Sequence, residues 1–221
     1  MVVKLRHVEW PRAHRIIATR FPPIHLFERL STDPADWEAI SVIEGLVNPR
    51  LRQEIGDISL VPPEDRVGGN GASCVMAPFT HLNPKGSRFS DGTFGVYYAG
   101  KDFETALRET VFHYEEFYAD ADLGISRIED MRVLVGVIGN DFHDIQSVSE
   151  TDMRALGQSL RDQGSNGVVY PSVRDPGGSC IGAFRPKAVG IPVQTNHLAY
   201  HWNGHRITRV FDYLAQIWRE L

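Results

Sequence analysis

Cysteine is scarce in this 221-residue chain, and no long apolar run is present. Only Cys74 and Cys180 occur, both in apolar-looking segments where a free thiol behaves as a small hydrophobe. That argues against a disulfide-dense secreted scaffold. No stretch approaches the ~18 consecutive apolar residues a membrane-spanning helix needs. Met1 to Pro11 alternates apolar and charged residues and so builds no signal-peptide core. Excess positive charge is also missing: 23 Lys and Arg stand against 28 Asp and Glu, a formal net charge of −5. Without a long basic run, there is no electrostatic reason to expect nucleic acid or an anionic membrane as partner. The simplest expectation is a cytoplasmic protein.

Further motifs are lacking. The Gly-rich segments match neither a dinucleotide fingerprint nor a phosphate loop, and there is no Gly-x-Ser-x-Gly elbow or His-Glu-x-x-His helix. His201 and His205 could approach each other across a turn, but no third metal ligand is evident, so no metal site is expected.

What is present is an ordinary globular composition, 42 % hydrophobic and 23 % charged. Val2 to Trp10 reads as a strand ended by Pro11. A helix is signalled from Asp33 and Pro34, with Trp37, Ile40, Ile43 and Val47 at helical spacing. Pro62-Pro63 and Gly68 to Gly71 mark loops. Residues 1–74 therefore read as a helical N-terminal extension packed on a domain over 75–221. In that domain Phe94 to Ala99 reads as a strand and Asp102 to Tyr118 as a helix capped by Asp102. The apolar face of that helix runs through Phe103, Ala106, Leu107, Thr110, Val111, Tyr114 and Phe117. Met131 to Ile138 follows as a strand and Asp152 to Gln163 as a helix closed by Gly164. Two short strands, Gly167–Tyr170 and Cys180–Phe184, flank a Pro/Gly-rich loop. Asn203-Gly204 predicts a two-residue hairpin turn, and Val210 to Leu221 a final helix. Strands and helices alternate irregularly, which predicts a mixed α+β fold rather than a doubly wound parallel sheet.

The informative stretch is Lys85-Gly-Ser-Arg88-Phe-Ser-Asp-Gly92-Thr-Phe-Gly-Val-Tyr97-Tyr98-Ala99, followed by Glu104-Thr-Ala-Leu-Arg-Glu109. Tyr98 lies ten residues after Arg88 and eleven before Glu109. A second block reads Gly167-Val-Val-Tyr-Pro-Ser172-Val-Arg174, with Gly178 and Cys180 beyond it. Taken singly these residues are ambiguous. Arg88 could be half of a surface ion pair, Glu109 a solvated helix residue and Ser172 a turn residue. Tyr97 competes with Tyr98, since alternation sends the two rings to opposite faces.

Together the two blocks, spanning roughly His81 to Ile191, resemble the RES domain. That family takes its name from an Arg, a Glu and a Ser, which Arg88, Glu109 and Ser172 match. The resemblance implies an α+β fold of the ADP-ribosyltransferase (diphtheria-toxin-like) kind, with a central split antiparallel sheet flanked by helices. It further implies a toxin of a RES–Xre type II toxin–antitoxin pair that consumes NAD as substrate. In the ParT-like branch ADP-ribose passes to a protein; in others, water or phosphate accepts it and NAD is depleted. A non-catalytic binding module of the same fold is the remaining possibility. The implied partners are an antitoxin with a helix-turn-helix domain and, for a transferase, a protein substrate; the extension could also serve a homodimer contact.

The chemistry fits these residues. Cleaving the nicotinamide–ribose bond passes through a cationic sugar-like transition state, which a carboxylate such as Glu109 stabilises. Arg88 offers a planar fork for two phosphates, with Arg174 a second candidate. Tyr98 offers a face for the nicotinamide cation, and Ser172 a hydroxyl to orient Glu109 or the ribose. Helical spacing puts His113 on the face of Glu109. The reaction requires no metal.

Overall fold

A computed structural model describes residues 3–20, 31, 33, 36–47, 56–121, 124–145 and 152–221. It is a mixed α+β domain. Its strands are β1 (Leu5–Ala18), β2 (Tyr97–Gly100), β3 (Arg127–Asp144), β4 (Gly167–Pro171), β5 (Ser179–Ala183), β6 (Val193–Trp202), β7 (Ile207–Asp212) and β8 (Ile217–Glu220). Its helices are α1 (Trp37–Val47), α2 (Ala72–Thr80), α3 (Phe103–Asp120) and α4 (Met153–Asp162).

The eight strands run in the order β1-β2-β5-β4-β3-β6-β7-β8, with β1 also paired to β3. Two groups of strands result, β2-β5-β4 and β1-β3-β6-β7-β8, joined at narrow seams. One seam is the single pair His14↔Gly100 between β1 and β2. The other is His143↔Val168 and Asp144↔Val169 between β3 and β4, the one parallel pairing among the described residues, whose other ladders are antiparallel.

Pro11 does not end the first strand. β1 pairs with β3 from Leu5↔His143 to Ala18↔Met131, and the register shifts between Trp10 and Ala13. Pro11, which lacks an N–H, sits in that irregularity, where no ladder donor is required. The segment read as a helical extension thus opens with a strand of the central sheet. α1 begins at Trp37, later than the Asp33 cap predicts; Trp37 is buried, while Ile43 is 61 % exposed. Pro34 and the side chain of Val47 lie outside the described residues.

α3 starts where its cap predicts, with the Asp102 carboxylate accepting from Thr105 N at 2.9 Å. Ala106, Leu107 and Tyr118 pack on Val133, Leu198, Tyr200 and Trp202, while Phe117 is half exposed. Burying a side chain such as Leu107 contributes roughly 1.5–3 kcal/mol, so this face fixes the rotation of α3 and with it the direction of Glu109. α4, capped by Asp152, packs Met153 and Leu160 with Phe89, Val168, Tyr170 and Phe184.

The C-terminal segment is not a helix. β7 continues to Asp212, whose carboxylate accepts from Leu214 N and Ala215 N, both at 2.9 Å. The chain then turns back through Gln216 (φ 59°) into β8. Asp favours turns, and Val210, Phe211, Ile217 and Trp218 favour strand, so turn chemistry overrides a coincidental helical spacing. Asn203-Gly204 does make a turn, but a four-residue one: Trp202 pairs with Ile207, and Asn203 Oδ1 accepts from His205 N and Arg206 N.

Candidate active site

Both sequence blocks border one cleft of about 810 Å³. The loop before β2 carries Arg88, and three elements hold that loop. From β2, the Tyr98 hydroxyl donates to Ser87 Oγ at 2.8 Å and accepts from Phe89 N at 3.3 Å. From α4, Arg154 donates to the carbonyls of Ser87 (3.1 Å) and Lys85 (3.2 Å). Phe89 is fully buried, its ring 5.0 Å from that of Tyr170. The Arg88 guanidinium lies 4.9 Å from the centre of the Tyr170 ring, a cation–π distance.

Glu109 stands in the second turn of α3, where its side chain is 21 % exposed. One carboxylate oxygen accepts from Ser172 Oγ at 2.6 Å, and Cys180 Sγ is 4.0 Å from the same atom. Ser172 Oγ in turn accepts from Arg174 N (3.1 Å) and Asp175 N (2.9 Å). A serine hydroxyl has one donor and two acceptor sites, so all three are used here. Asp175 ties the β4–β5 loop to α3, accepting from the Thr105 hydroxyl at 2.7 Å. A side chain at Gly178 would collide with that same Thr105 hydroxyl and with Asp175. Ser172 is thus both a turn residue and the partner of Glu109.

The remaining residues fall as follows. Arg88, Tyr98, Glu109 and Arg174 line the cleft, whereas Ser172 stands behind Glu109 and is not part of the lining. Arg174 lies over the Phe112 ring at 3.3 Å. Tyr98 is partly exposed in the cleft, while Tyr97 is buried in the core with the Arg15 guanidinium 4.6 Å from its ring centre. His113 also lines the cleft, its Nε2 4.0 Å from Glu109 Oε2.

Burial raises the Tyr98 pKa, so its ring presents a neutral phenol. The Cys180 thiol is pushed up to about 12, first by burial and then by the Glu109 charge, and so stays protonated at neutral pH. Five cations, Arg15, Lys85, Arg88, Arg154 and Arg174, line the cleft against two carboxylates, Glu109 and Glu116. In a chain of net charge −5, this concentrates positive charge where an anionic ligand would lie.

Sequence reasoning did not single out Arg15, Arg154, Thr105 or Asp175. The first two reach the cleft from β1 and α4, far from either block, and no local pattern marks them. Among the described residues, no group of three or more His, Cys, Asp or Glu is placed to hold a metal ion, and no helix is long and apolar enough to cross a membrane.

Comparison with known families matches residues 63–203 to the RES domain, and this chain belongs to that family. A relative, the uncharacterized protein y4oC of Sinorhizobium fredii, is 32 % identical over 207 residues, covering 90 % of this chain and 86 % of its own. Among solved structures, a chain in the crystal structure of the M. tuberculosis MbcT–MbcA toxin–antitoxin complex aligns over 90 % of this chain and 87 % of its own. That alignment has a TM-score of 0.38 and 10 % identity.

Proposed function

We propose that this protein cleaves the nicotinamide–ribose bond of NAD and transfers ADP-ribose to a protein, acting as the toxin of a toxin–antitoxin pair. The observation that carries the reading is the Glu109 carboxylate, fixed by Ser172 at 2.6 Å in a cleft lined by five cations. Bond cleavage leaves positive charge on the ribose, and a carboxylate held in advance stabilises it without reorganising. Its hydrogen bond from Ser172 sets the carboxylate's direction and leaves the second oxygen for the ribose. Arg88 and Arg174 supply donors for the pyrophosphate, and Tyr98 an aromatic face for the nicotinamide.

Two groups of strands joined at narrow seams beside this cleft support the ADP-ribosyltransferase-like architecture that the family resemblance implies. By the same resemblance the toxin's partner is an antitoxin carrying a helix-turn-helix domain; the net charge of −5 gives the toxin itself no electrostatic reason to contact nucleic acid or an anionic membrane.

The test follows nicotinamide release from labelled NAD, with and without cell extract, beside Glu109→Gln. Label on a protein only with extract, lost in the variant, is the expected result. Release without extract would redirect the reading to a glycohydrolase or, if phosphate-dependent, a phosphorylase. No turnover in either arm would leave a binding module.

A further inference from the structure

We propose that Phe112, on α3, is a positioning residue of the cleft: its ring holds the Arg174 guanidinium flat and leaves the N–H edge free for the phosphates of the dinucleotide. The inference rests on the NAD reading and on the phosphate role given there to Arg174, and it adds the residue through which that role is set. Helical spacing puts Thr105, Arg108, Glu109, Phe112, His113 and Glu116 along one side of α3, opposite the side that Ala106, Leu107 and Tyr118 bury. Phe112 is the one large apolar side chain on that polar face, and it lines the cleft, half-buried, rather than joining the core. An apolar residue at a surface means little by itself. This one has a specific partner.

The polar face of α3 grips the β4–β5 loop at three rungs. The Thr105 hydroxyl donates to Asp175 at 2.7 Å, the Ser172 hydroxyl donates to Glu109 at 2.6 Å, and the Arg174 guanidinium lies 3.3 Å from the centre of the Phe112 ring. Thr105, Glu109 and Phe112 follow at i, i+4 and i+7, so they are successive neighbours on one stripe of the helix. The first rung anchors the loop and the second orients the carboxylate. The third acts on a side chain that the loop alone leaves free. Arg174 is exposed, and a long cationic side chain in water keeps rotamer freedom that a ligand must otherwise remove on binding. At 3.3 Å a tilted guanidinium would drive a nitrogen into the ring, so the two planes lie nearly parallel. The N–H groups then point sideways, past the ring edge, where phosphate oxygens accept them in pairs. A carboxylate in the place of Phe112 would hold the charge equally well but would occupy the donors a phosphate needs. A ring attracts the cation through its face and leaves those donors unused.

A purely structural role is the rival, since the same ring also helps to seat the loop on α3. Titration calorimetry with ADP-ribose across a double-mutant cycle separates the two. Phe112→Leu is expected to weaken binding about 2- to 5-fold, a cation–π contact of about 0.5–1 kcal/mol at tenfold per 1.4 kcal/mol. In an Arg174→Ala background the same substitution should leave the affinity unchanged, because the group it acts through is gone. Phe112→Tyr keeps the ring and should match wild type. Phe112→Met enters the same cycle if Phe112→Leu does not fold. An equal loss in both backgrounds would mean that Phe112 only supports the fold, and no loss in the wild-type background would mean that the ring positions nothing; either overturns the proposal. So does an Arg174→Ala protein that binds ADP-ribose as tightly as wild type. A wild-type protein that binds neither NAD nor ADP-ribose would instead overturn the NAD reading, and this inference with it.

Discussion

Gly157→Ala tests whether α4 holds the Arg88 loop as closely as the structure has it. Gly157 is buried in the middle of α4, and a methyl group there would overlap the main-chain carbonyl oxygen of Phe89, with Phe89 C at 2.9 Å and Phe89 Cβ at 3.0 Å. Those atoms cannot swing aside as the end of a flexible side chain would. Phe89 is itself locked by the Tyr98 hydroxyl and by the Tyr170 ring. Two effects of opposite sign compete. In an open helix, Gly→Ala stabilises by roughly 1 kcal/mol through propensity. Overpacking a rigid contact costs typically about 1–3 kcal/mol. Because the clash is with backbone, the second effect should win, for a net loss of up to about 2 kcal/mol and a fall in Tm of up to about 8 °C in a chain of this length. Thermal unfolding followed by circular dichroism gives the sign directly. Displacing α4 also pulls Arg154 from the carbonyls of Ser87 and Lys85, so dinucleotide binding should weaken with stability. A rise in Tm would refute the reasoning, because it would mean that α4 stands off the loop and propensity alone operates.

Ser172→Ala removes the donor to Glu109 and strands the N–H groups of Arg174 and Asp175. A hydrogen bond to a charged group is worth about 1.5–3 kcal/mol, which predicts nicotinamide release slowed about 10- to 100-fold. Ser172→Thr should recover most of that rate, and equal rates in all three proteins would sink the positioning role. The pH dependence of stability follows from His14 and His143, whose pKa values are both lowered, mainly by burial. Below a pH of about 6.5 the unfolded chain takes up these protons more readily than the fold does, so stability should be full at pH 7.5 and fall toward pH 5.5. Denaturant unfolding across that range should show a shallower slope for His143→Gln, and an unchanged slope would refute the assignment.

The parts of the fold legible in the sequence are those whose cause is local. Asp102 and Asp152 sit next to the segments they cap, and each accepts from the backbone N–H three residues on, as an N-cap does. β4 and β5 are a contiguous pair running from Gly167↔Ala183 to Pro171↔Ser179. β1 is different. Its continuation past Pro11 depends on pairing with a strand more than a hundred residues away, and nothing near Pro11 announces an irregularity that tolerates a missing N–H. At the C-terminus the apolar spacing suited a helix. Yet Leu214 and Ile217 are 77 % and 57 % exposed, so no buried face ever supported that helix, while the Asp212 turn acts through its own side chain.

The candidate site divides along the same line. Arg88, Tyr98 and Glu109 fall within 22 residues of one another, so a motif could hold them together, and strand alternation reduced the Tyr97–Tyr98 ambiguity to a choice of face. The core then claimed Tyr97, because the inner face of β2 packs with β1 and β5 while the other face opens to the cleft. Arg15 and Arg154 carry no such mark. Arg15 reads as one charge in an alternating strand, and Arg154 as one charge on an exposed helix face. What sets them apart is where the backbone delivers them: one to a seam that a single residue pair holds, the other to the carbonyls of the loop bearing Arg88. A motif therefore names the groups that would do chemistry, while the groups that set the cleft's charge and hold its loop appear only once distant strands have found their register.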